Sequence, residues 1–178
     1  MVMGHMSLGW AYCCLGDSET ALKHMEKSFG LRKDSGFAGQ LSLSYYTLAM
    51  IQSDSGDLES ARSSTEQALS AAAQSREMWT EGAAKQLFGS ILGKQDISKA
   101  TAAEGDILNG MAILNVLGIR PLQALGHLIL GELYADMGHK KRALHNLNKA
   151  AAAFKEMDMA YWLRRTQKVL RSHPRLRA

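Results

Sequence analysis

The phrase Gly16-Asp17-Ser18-Glu19-Thr20-Ala21 recurs in altered form three more times along this chain of 178 residues. The other copies are Gly56-Asp57-Leu58-Glu59-Ser60-Ala61, Gln95-Asp96-Ile97-Ser98-Lys99-Ala100 and Gly138-His139-Lys140-Lys141-Arg142-Ala143. The alanines that end the phrase are 40, 39 and 43 residues apart. Self-similarity at a period of about 20–50 residues is typical of stacked supersecondary units. The phrase therefore predicts a repeat protein, a class that presents binding surfaces more often than catalytic groups.

Each copy of the phrase reads as a turn between two helices. The glycine is suited to end one helix in the left-handed conformation, and the aspartate is suited to cap the next. The alanine then falls one turn into the second helix, where a small side chain lets two helices approach closely. The predicted helices span 2–15, 18–33, 38–54, 58–76, 78–94, 97–117, 121–137, 139–157 and 159–171.

The composition favours an all-α fold. The chain is 46% hydrophobic and 21% charged, as in an average globular domain, and it has only two prolines, Pro121 and Pro174. Ala, Leu, Met, Lys, Glu and Gln are abundant, whereas Val and Ile are sparse. We predict a right-handed α–α superhelix, a solenoid of about four antiparallel helix pairs followed by a C-terminal capping helix.

We expect one domain over 1–172 and a basic tail over 173–178. The predicted repeat units are 1–36, 37–77, 78–119 and 120–157, with the capping helix at 158–172. The capping helix has an apolar stripe and a charged back, as the end of a stack requires. The stripe consists of Met159, Trp162, Leu163, Val169 and Leu170.

No polar cap precedes the first unit, which opens on Met3, Met6, Leu8 and Trp10. This predicts an uncovered edge: the edge of a fragment, a dimer contact or the site of an upstream domain.

The net charge of +4 comes largely from the last fifteen residues. These residues lack both interleaved aromatic side chains and a groove-reading motif, so we expect solvated charge that complements a helix C-terminus rather than nucleic-acid binding. The adjacent Cys13 and Cys14 are predicted to be reduced packing residues. The absence of a long apolar run and of a signal-peptide pattern predicts a cytoplasmic protein without membrane contact.

Two units carry residues in the pattern of a known repeat. These are Gly9-Trp10-Ala11-Tyr12 with Gly16 and Ala21, and Leu130-Gly131-Glu132-Leu133-Tyr134 with Gly138, Ala143 and Ala150. They resemble the tetratricopeptide repeat, which places a small residue, an aromatic residue three later, a turn glycine and two alanines in this order. The second unit has Gln52 at the usual aromatic position. The third unit is the poorest match, since its turn glycine and aromatic residue are missing.

The last 70 residues or so are also similar to a narrower group. The ordered series is Leu117-Gly118-Ile119-Arg120-Pro121-Leu122, Leu130-Gly131-Glu132-Leu133-Tyr134, Phe154-Lys155-Glu156-Met157-Asp158-Met159 and Trp162-Leu163. It resembles the C-terminal repeat region of large bacterial signalling ATPases, many of which begin with a class III adenylate or guanylate cyclase domain. Nothing in the chain resembles the cyclase or ATPase parts, so their catalysis cannot be transferred to it.

The sequence offers no convincing catalytic, cofactor or metal motif. Gly89-Ser90-Ile91-Leu92-Gly93-Lys94-Gln95 lacks the glycine spacing and the Ser/Thr of a phosphate loop. No two of the six histidines lie four apart, and no Cys–His spacing suits zinc. Gly105 and Gly110 are expected to allow close helix contacts. We predict no enzyme, no cofactor and no metal.

A partner-binding groove is predicted on the inner helices. Glu132 and Asp136 lie four residues apart on one helix face, and Asp54 has the position of Asp136 two units earlier. An apolar and acidic surface would suit an amphipathic or extended peptide with some positive charge. The predicted groove consists of Met6, Trp10, Tyr46, Met50, Asp54, Lys85, Leu128, Glu132 and Asp136.

The predicted function is therefore that of a protein-interaction module with a protein or peptide partner, serving as the regulatory tail of a larger signalling ATPase or cyclase. Two alternatives stay open. One is a self-associating repeat protein that forms a homodimer through the uncapped first repeat. The other is a nucleic-acid binder that acts through the basic tail.

Overall fold

The computed structural model describes residues 1–35 and 39–177, and in these ranges the chain is helical with no strand. The predicted all-α helical-repeat fold is confirmed. The predicted unit boundary at 36/37, the helix start at 38 and the last tail residue, 178, lie outside the described residues. The helices are α1 Val2–Cys14, α2 Ser18–Ser35, α3 Leu41–Ser55, α4 Leu58–Ser75, α5 Met78–Gln95, α6 Ala100–Val116, α7 Arg120–Asp136, α8 Lys140–Glu156, α9 Ala160–Ser172 and α10 Pro174–Arg177.

The chain forms two compact units, Met1–Ala84 and Lys85–Ala178. The division falls inside α5, so this helix contributes its first part to one unit and its remainder to the other. The single domain over 1–172 and its four repeat boundaries stay predictions.

One backbone turn ends six of the described helices. In each, a residue with positive φ follows the helix, and the N–H of the next residue reaches back to a carbonyl in the last helical turn, the Schellman arrangement. The N–H of Asp57 donates to Gln52 O at 2.9 Å, and that of His139 to Tyr134 O at 2.8 Å. The positive-φ residues are Gly16, Gly56, Arg76, Gly118, Gly138 and Asp158.

The left-handed glycines predicted at Gly16, Gly56 and Gly138 are confirmed. Arg76 and Asp158 adopt the same conformation without being glycine, at φ 56° and 54°. An L-residue meets a steric cost in this region, so these two turns hold their conformation against a local preference. The sequence did not indicate these two turns, because neither has the glycine that is typical of a helix end.

The predicted aspartate caps form in the first two copies of the phrase. Asp17 accepts a hydrogen bond from the N–H of Thr20 at 3.0 Å, and Asp57 accepts one from Ser60 at 3.1 Å. In the third copy Asp96 accepts from Ser98 at 2.9 Å and heads a 3₁₀ turn, Ile97–Lys99. The helix predicted to begin at 97 therefore begins at Ala100, because the tighter turn takes up its first residues. The four alanines of the phrase are all buried.

The core of the first unit lies between α1, α2 and α3. It consists of Met6, Cys13, Ala21, Met25 and Ile51. A Cβ atom at Gly9 would lie 3.0 Å from the sulfur of Met25, so the lack of a side chain there lets α1 approach α2. Cys13 and Cys14 are free thiols, as predicted.

The core of the second unit centres on α7 and α8. The predicted face of Leu130, Tyr134, Ala143, Leu147 and Ala150 is buried there, which confirms it. The apolar stripe of α9 packs against the same cluster, so the predicted inner face of the capping helix is also confirmed.

Two glycines, Gly89 and Gly131, allow helices of the second unit to pack closely. A Cβ atom at Gly131 would lie 2.6 Å from Cγ of Leu147, and one at Gly89 would lie 2.5 Å from the carbonyl oxygen of Ala103. The third repeat is the poorest match in sequence, but its helices α5 and α6 still pack closely at Gly89. The prediction of a close helix contact at Gly105 is wrong, because a Cβ there would meet nothing within 4 Å.

Candidate interaction site

The two carboxylates predicted on α7 line a cleft against the end of α5. Ile129, Glu132, Leu133 and Asp136 recur at helical spacing and so share one face of α7. The opposing residues, spaced in the same way on α5, are Ser90, Gly93 and Lys94. A Cβ atom at Gly93 would lie 2.7 Å from Cδ1 of Leu133, so the two helices approach closely at the floor of the cleft.

Above this floor the cleft widens to an open space of about 420 Å³. It is lined by Gly93, Lys94, Ile97, Asp136 and Arg175. Binding clefts for small ligands or peptide side chains are typically about 300–1,000 Å³. The space is thus large enough for a few side chains of a partner segment.

The C-terminal segment closes one side of this cleft. His173 Nε2 lies 3.1 Å from Oδ1 of Asp136, and a guanidinium nitrogen of Arg175 donates to the backbone carbonyl of the same residue. That carbonyl belongs to the C-terminal end of α7, where a cation complements the helix dipole. Leu176 is buried in the core cluster of the second unit. The tail was predicted to carry solvated charge, but its residues 173–176 contact α7 and the core of the second unit.

The side chains around the cleft carry balanced charge. Glu132 and Asp136 supply two carboxylates, and Lys94 and Arg175 supply two cations. Arg175 belongs to the folded-back segment, whereas the other three belong to α5 and α7. Without the tail, the two carboxylates would face a single cation, Lys94.

A polar cluster behind the cleft fixes α7 against α6 and α8. The Tyr134 hydroxyl donates to Oε1 of Glu104 at 2.8 Å, and Arg142 donates to the same oxygen at 2.7 Å. Burial acts to raise the pKa of Glu104, but these two hydrogen bonds and the charge of Arg142 outweigh it and hold that pKa below its usual range. Burial and the Glu104 carboxylate raise the pKa of Tyr134 to about 12.

The other predicted groove residues of the second unit have different settings. Leu128 is buried in the core cluster, and Lys85, on α5, is partly exposed.

In the first unit, Met6, Tyr46 and Met50 are buried, each less than a tenth exposed. Trp10 is partly exposed, and Asp54 is exposed with its carboxylate 3.6 Å from Sγ of Cys13. The buried members of the predicted set form part of the packed interior. The exposed and partly exposed members carry the proposal below.

The basic residues at the cleft, Lys94, His173 and Arg175, were not predicted from the sequence. The repeat register contains a signal for Lys94, because it follows Asp54 by 40 residues and precedes Asp136 by 42. The same register places Ser90 at the position of Glu132. No sequence signal foretells that His173 and Arg175 fold back onto α7, since their partners lie 37 and 39 residues away.

Elsewhere the described residues include no group of three or more His, Cys, Asp or Glu side chains that could hold a metal ion. His127 contacts the amide oxygen of Asn146 at 2.9 Å on the packed face of α7. Among the helices described, none is long and apolar enough to cross a membrane.

Comparison with known families identifies the class of one helix pair. Residues 43–75, which comprise most of α3 and all of α4, match the model of the tetratricopeptide repeat. This match supports the tetratricopeptide-repeat superfamily, whose members serve in general as protein-interaction scaffolds. None of the curated proteins compared with the chain matches it.

Proposed function

We propose that the chain is a protein-interaction scaffold, not an enzyme, and that its partner is a basic peptide segment with apolar side chains. The partner lies in the cleft between α5 and α7 of the second unit. The observation that carries the proposal is the placement of Glu132 and Asp136 on one face of α7, beside Ile129 and Leu133.

This arrangement offers two kinds of contact at once. Ile97, which lines the open part of the cleft and is 49% exposed, can contact leucine-like side chains, and the carboxylates can accept hydrogen bonds from lysine or arginine. Charge-assisted contacts in a partly shielded cleft are stronger than on an open surface, because the effective dielectric constant is lower there. Such contacts also select against acidic competitors.

We propose that the other exposed and partly exposed members of the predicted groove also contact a protein partner. Trp10 and Asp54 would do so in the first unit, and Lys85 of α5 in the second. Each would be tested by alanine substitution in the binding assay below.

Selection from a display library of random 12-residue peptides on the immobilised chain tests the proposal. We expect enrichment of sequences that combine Lys or Arg with Leu, Ile or Met. The variant Glu132→Lys with Asp136→Lys should lose these peptides while it keeps its helical circular dichroism. The matched control is Glu26→Lys with Asp34→Lys, which makes the same change of charge at exposed positions of α2. Enrichment of acidic peptides, or equal binding by the charge-reversed variant, would overturn the assignment.

Self-association through α1 is a second candidate, favoured by a separate observation. Leu8 and Leu15 are 44% and 78% exposed and lie seven residues apart, with exposed Ala11 between them; Leu8 and Ala11 belong to α1, and Leu15 directly follows its last residue. An exposed apolar stripe of this spacing suits a helix of a second copy. Sedimentation of the wild type and of Leu8→Glu with Leu15→Glu would test it. A monomer mass of the wild type at every concentration would overturn it.

We also infer from the resemblance of the last 70 residues or so that the chain serves bacterial cytoplasmic signalling, as the regulatory tail of an ATPase or cyclase. An immunoblot of the source cells with an antibody against this segment tests this. A band several times heavier than 19.5 kDa is expected. A band near that mass would contradict it and indicate a free-standing adaptor.

A further inference from the structure

We propose that residues 173–176 of the chain act as an internal competitor for the cleft between α5 and α7. The partner is a second basic segment, which displaces them. This inference rests on the proposed function and names both the partner's chemistry and the regulation of the same site.

The first support is the set of contacts that the segment makes. His173 meets the carboxylate of Asp136, Arg175 meets the carbonyl at the end of α7, and Leu176 is buried beside them. Two groups that can carry positive charge thus contact Asp136 at the end of α7, and the leucine that follows them is buried in the core cluster. These are the contacts expected of a basic and apolar partner segment.

The second support is the charge balance of the cleft. With Arg175 in place, the two carboxylates face two cations, and an incoming basic segment gains little Coulomb attraction. Movement of the segment removes one cation and uncovers the Asp136 carboxylate, which is 47% exposed even with His173 beside it. A basic segment therefore binds more tightly where the tail has left.

The third support is the connection of the segment to the unit on which it lies. Residues 173–176 follow α9 directly, and α9 packs against the core cluster of the same unit. A tethered segment competes at an effective concentration that reaches the millimolar range for short linkers. A free segment of equal intrinsic affinity should consequently bind the wild-type chain at least about tenfold more weakly than a chain whose own tail contacts are removed.

The test uses a synthetic peptide of residues 172–178, titrated into the full-length chain and followed by nuclear magnetic resonance. We compare the wild type with His173→Ala plus Arg175→Ala, which removes both contacts of the tail with Asp136. The peptide should bind the variant at least about tenfold more tightly than the wild type. Its binding should shift the amide signals of Glu132 and Asp136.

The matched control is Arg164→Ala plus Lys168→Ala, which removes two exposed basic groups of α9 without touching the tail contacts. This control should bind the peptide as weakly as the wild type. The milder pair His173→Gln plus Arg175→Gln guards against loss of folding in the alanine variant. It should also show tighter binding, with the helical circular dichroism of the wild type.

The outcomes separate this inference from the proposed function. Equal affinity for wild type and tail variants, or no binding of the peptide to either tail variant, overturns internal competition. The proposed function still stands in that case if library peptides bind the wild type and fail on the Glu132→Lys, Asp136→Lys variant. If neither the library peptides nor the tail peptide binds the wild type or any variant, both internal competition and the proposed function are overturned.

Discussion

The guanidinium carbon of Arg142 lies 3.9 Å from the centre of the Tyr134 ring, and the same side chain reaches the carboxylate of Glu104 at 2.7 Å. The two residues come from neighbouring helices, α8 and α7, and Glu104 comes from α6. Cation–π contact and charge-assisted hydrogen bonds act together here, with Tyr134 buried, the Glu104 side chain 21% exposed and the Arg142 side chain 52% exposed. The cluster therefore fixes the helix that carries Glu132 and Asp136.

This cluster predicts a pH dependence of stability. Since the pKa of Glu104 is lower in the folded chain than its reference value of 4.5, the ionised form favours folding. The contribution is present above the unfolded pKa and is lost as the pH falls through the lower folded pKa. Glu104→Gln should thus be less stable than wild type at neutral pH, and the difference should shrink below about pH 4.5. Urea unfolding at several pH values measures this. A constant difference between neutral and acid pH would contradict it.

Substitution by alanine should change the free energy of unfolding in opposite directions at Gly89 and at Gly105, two glycines inside helices. Gly89→Ala places a methyl group 2.5 Å from a backbone carbonyl, so helices α5 and α6 must separate. We expect a loss of about 1–3 kcal/mol, as for overpacked sites. Gly105→Ala, on α6, meets nothing within 4 Å and should stabilise the chain by about 0.5–1 kcal/mol through backbone entropy. Urea unfolding followed by circular dichroism compares the two variants. Equal effects would show that the contact at Gly89 is absent.

The non-glycine turn residues predict stabilising substitutions. Arg76 ends α4 at φ 56°, a conformation that glycine adopts without the steric cost of a side chain. Arg76→Gly should therefore raise the free energy of unfolding by up to about 1 kcal/mol. Gly56→Ala, which introduces the same cost at the end of α3, should lower it by about 1–2 kcal/mol. Thermal melts of both variants provide the measurement. Destabilisation by Arg76→Gly would mean that this turn is not left-handed.

A comparison of two helix starts predicts the contribution of the cap. Asp57 and His139 occupy the same place in the repeated phrase with similar backbone angles, φ −78° and −83°. Only Asp57 accepts a capping hydrogen bond from the backbone. Asp57→Ala should lower the free energy of unfolding by about 0.5–2 kcal/mol, and His139→Ala should have a much smaller effect. Similar losses at both sites would show that the Asp57 cap contributes nothing.

Local chemistry explains how much of the fold could be predicted from the sequence. Gly56, Asp57 and Ala61 act within a few residues of one another, so their roles in turn, cap and close packing could be predicted from spacing alone. Arg76 and Asp158 could not be recognised in this way. Their positive φ follows from the hydrogen bonds of the helix ends rather than from their own preference.

The candidate site was only partly accessible to sequence reading for a similar reason. Glu132 and Asp136 share a helix face by their spacing, and the structure places both on one cleft. Whether an apolar groove residue such as Leu128 faces a partner or the core depends on which helices pack on it, and here it is buried. The return of His173 and Arg175 to α7 depends on the path of α9, which periodicity does not encode.

The most direct test of the interaction site is photo-crosslinking of a selected basic peptide to the wild-type chain, with mass spectrometry of the adducts. A photoreactive group beside the peptide's lysine should attach to residues 90–97, at the end of α5 and just beyond it, and to residues 129–136 of α7. It should attach little to the Glu132→Lys, Asp136→Lys variant. Adducts confined to α9, or to helices of the first unit, would show that the cleft between α5 and α7 is not the binding site.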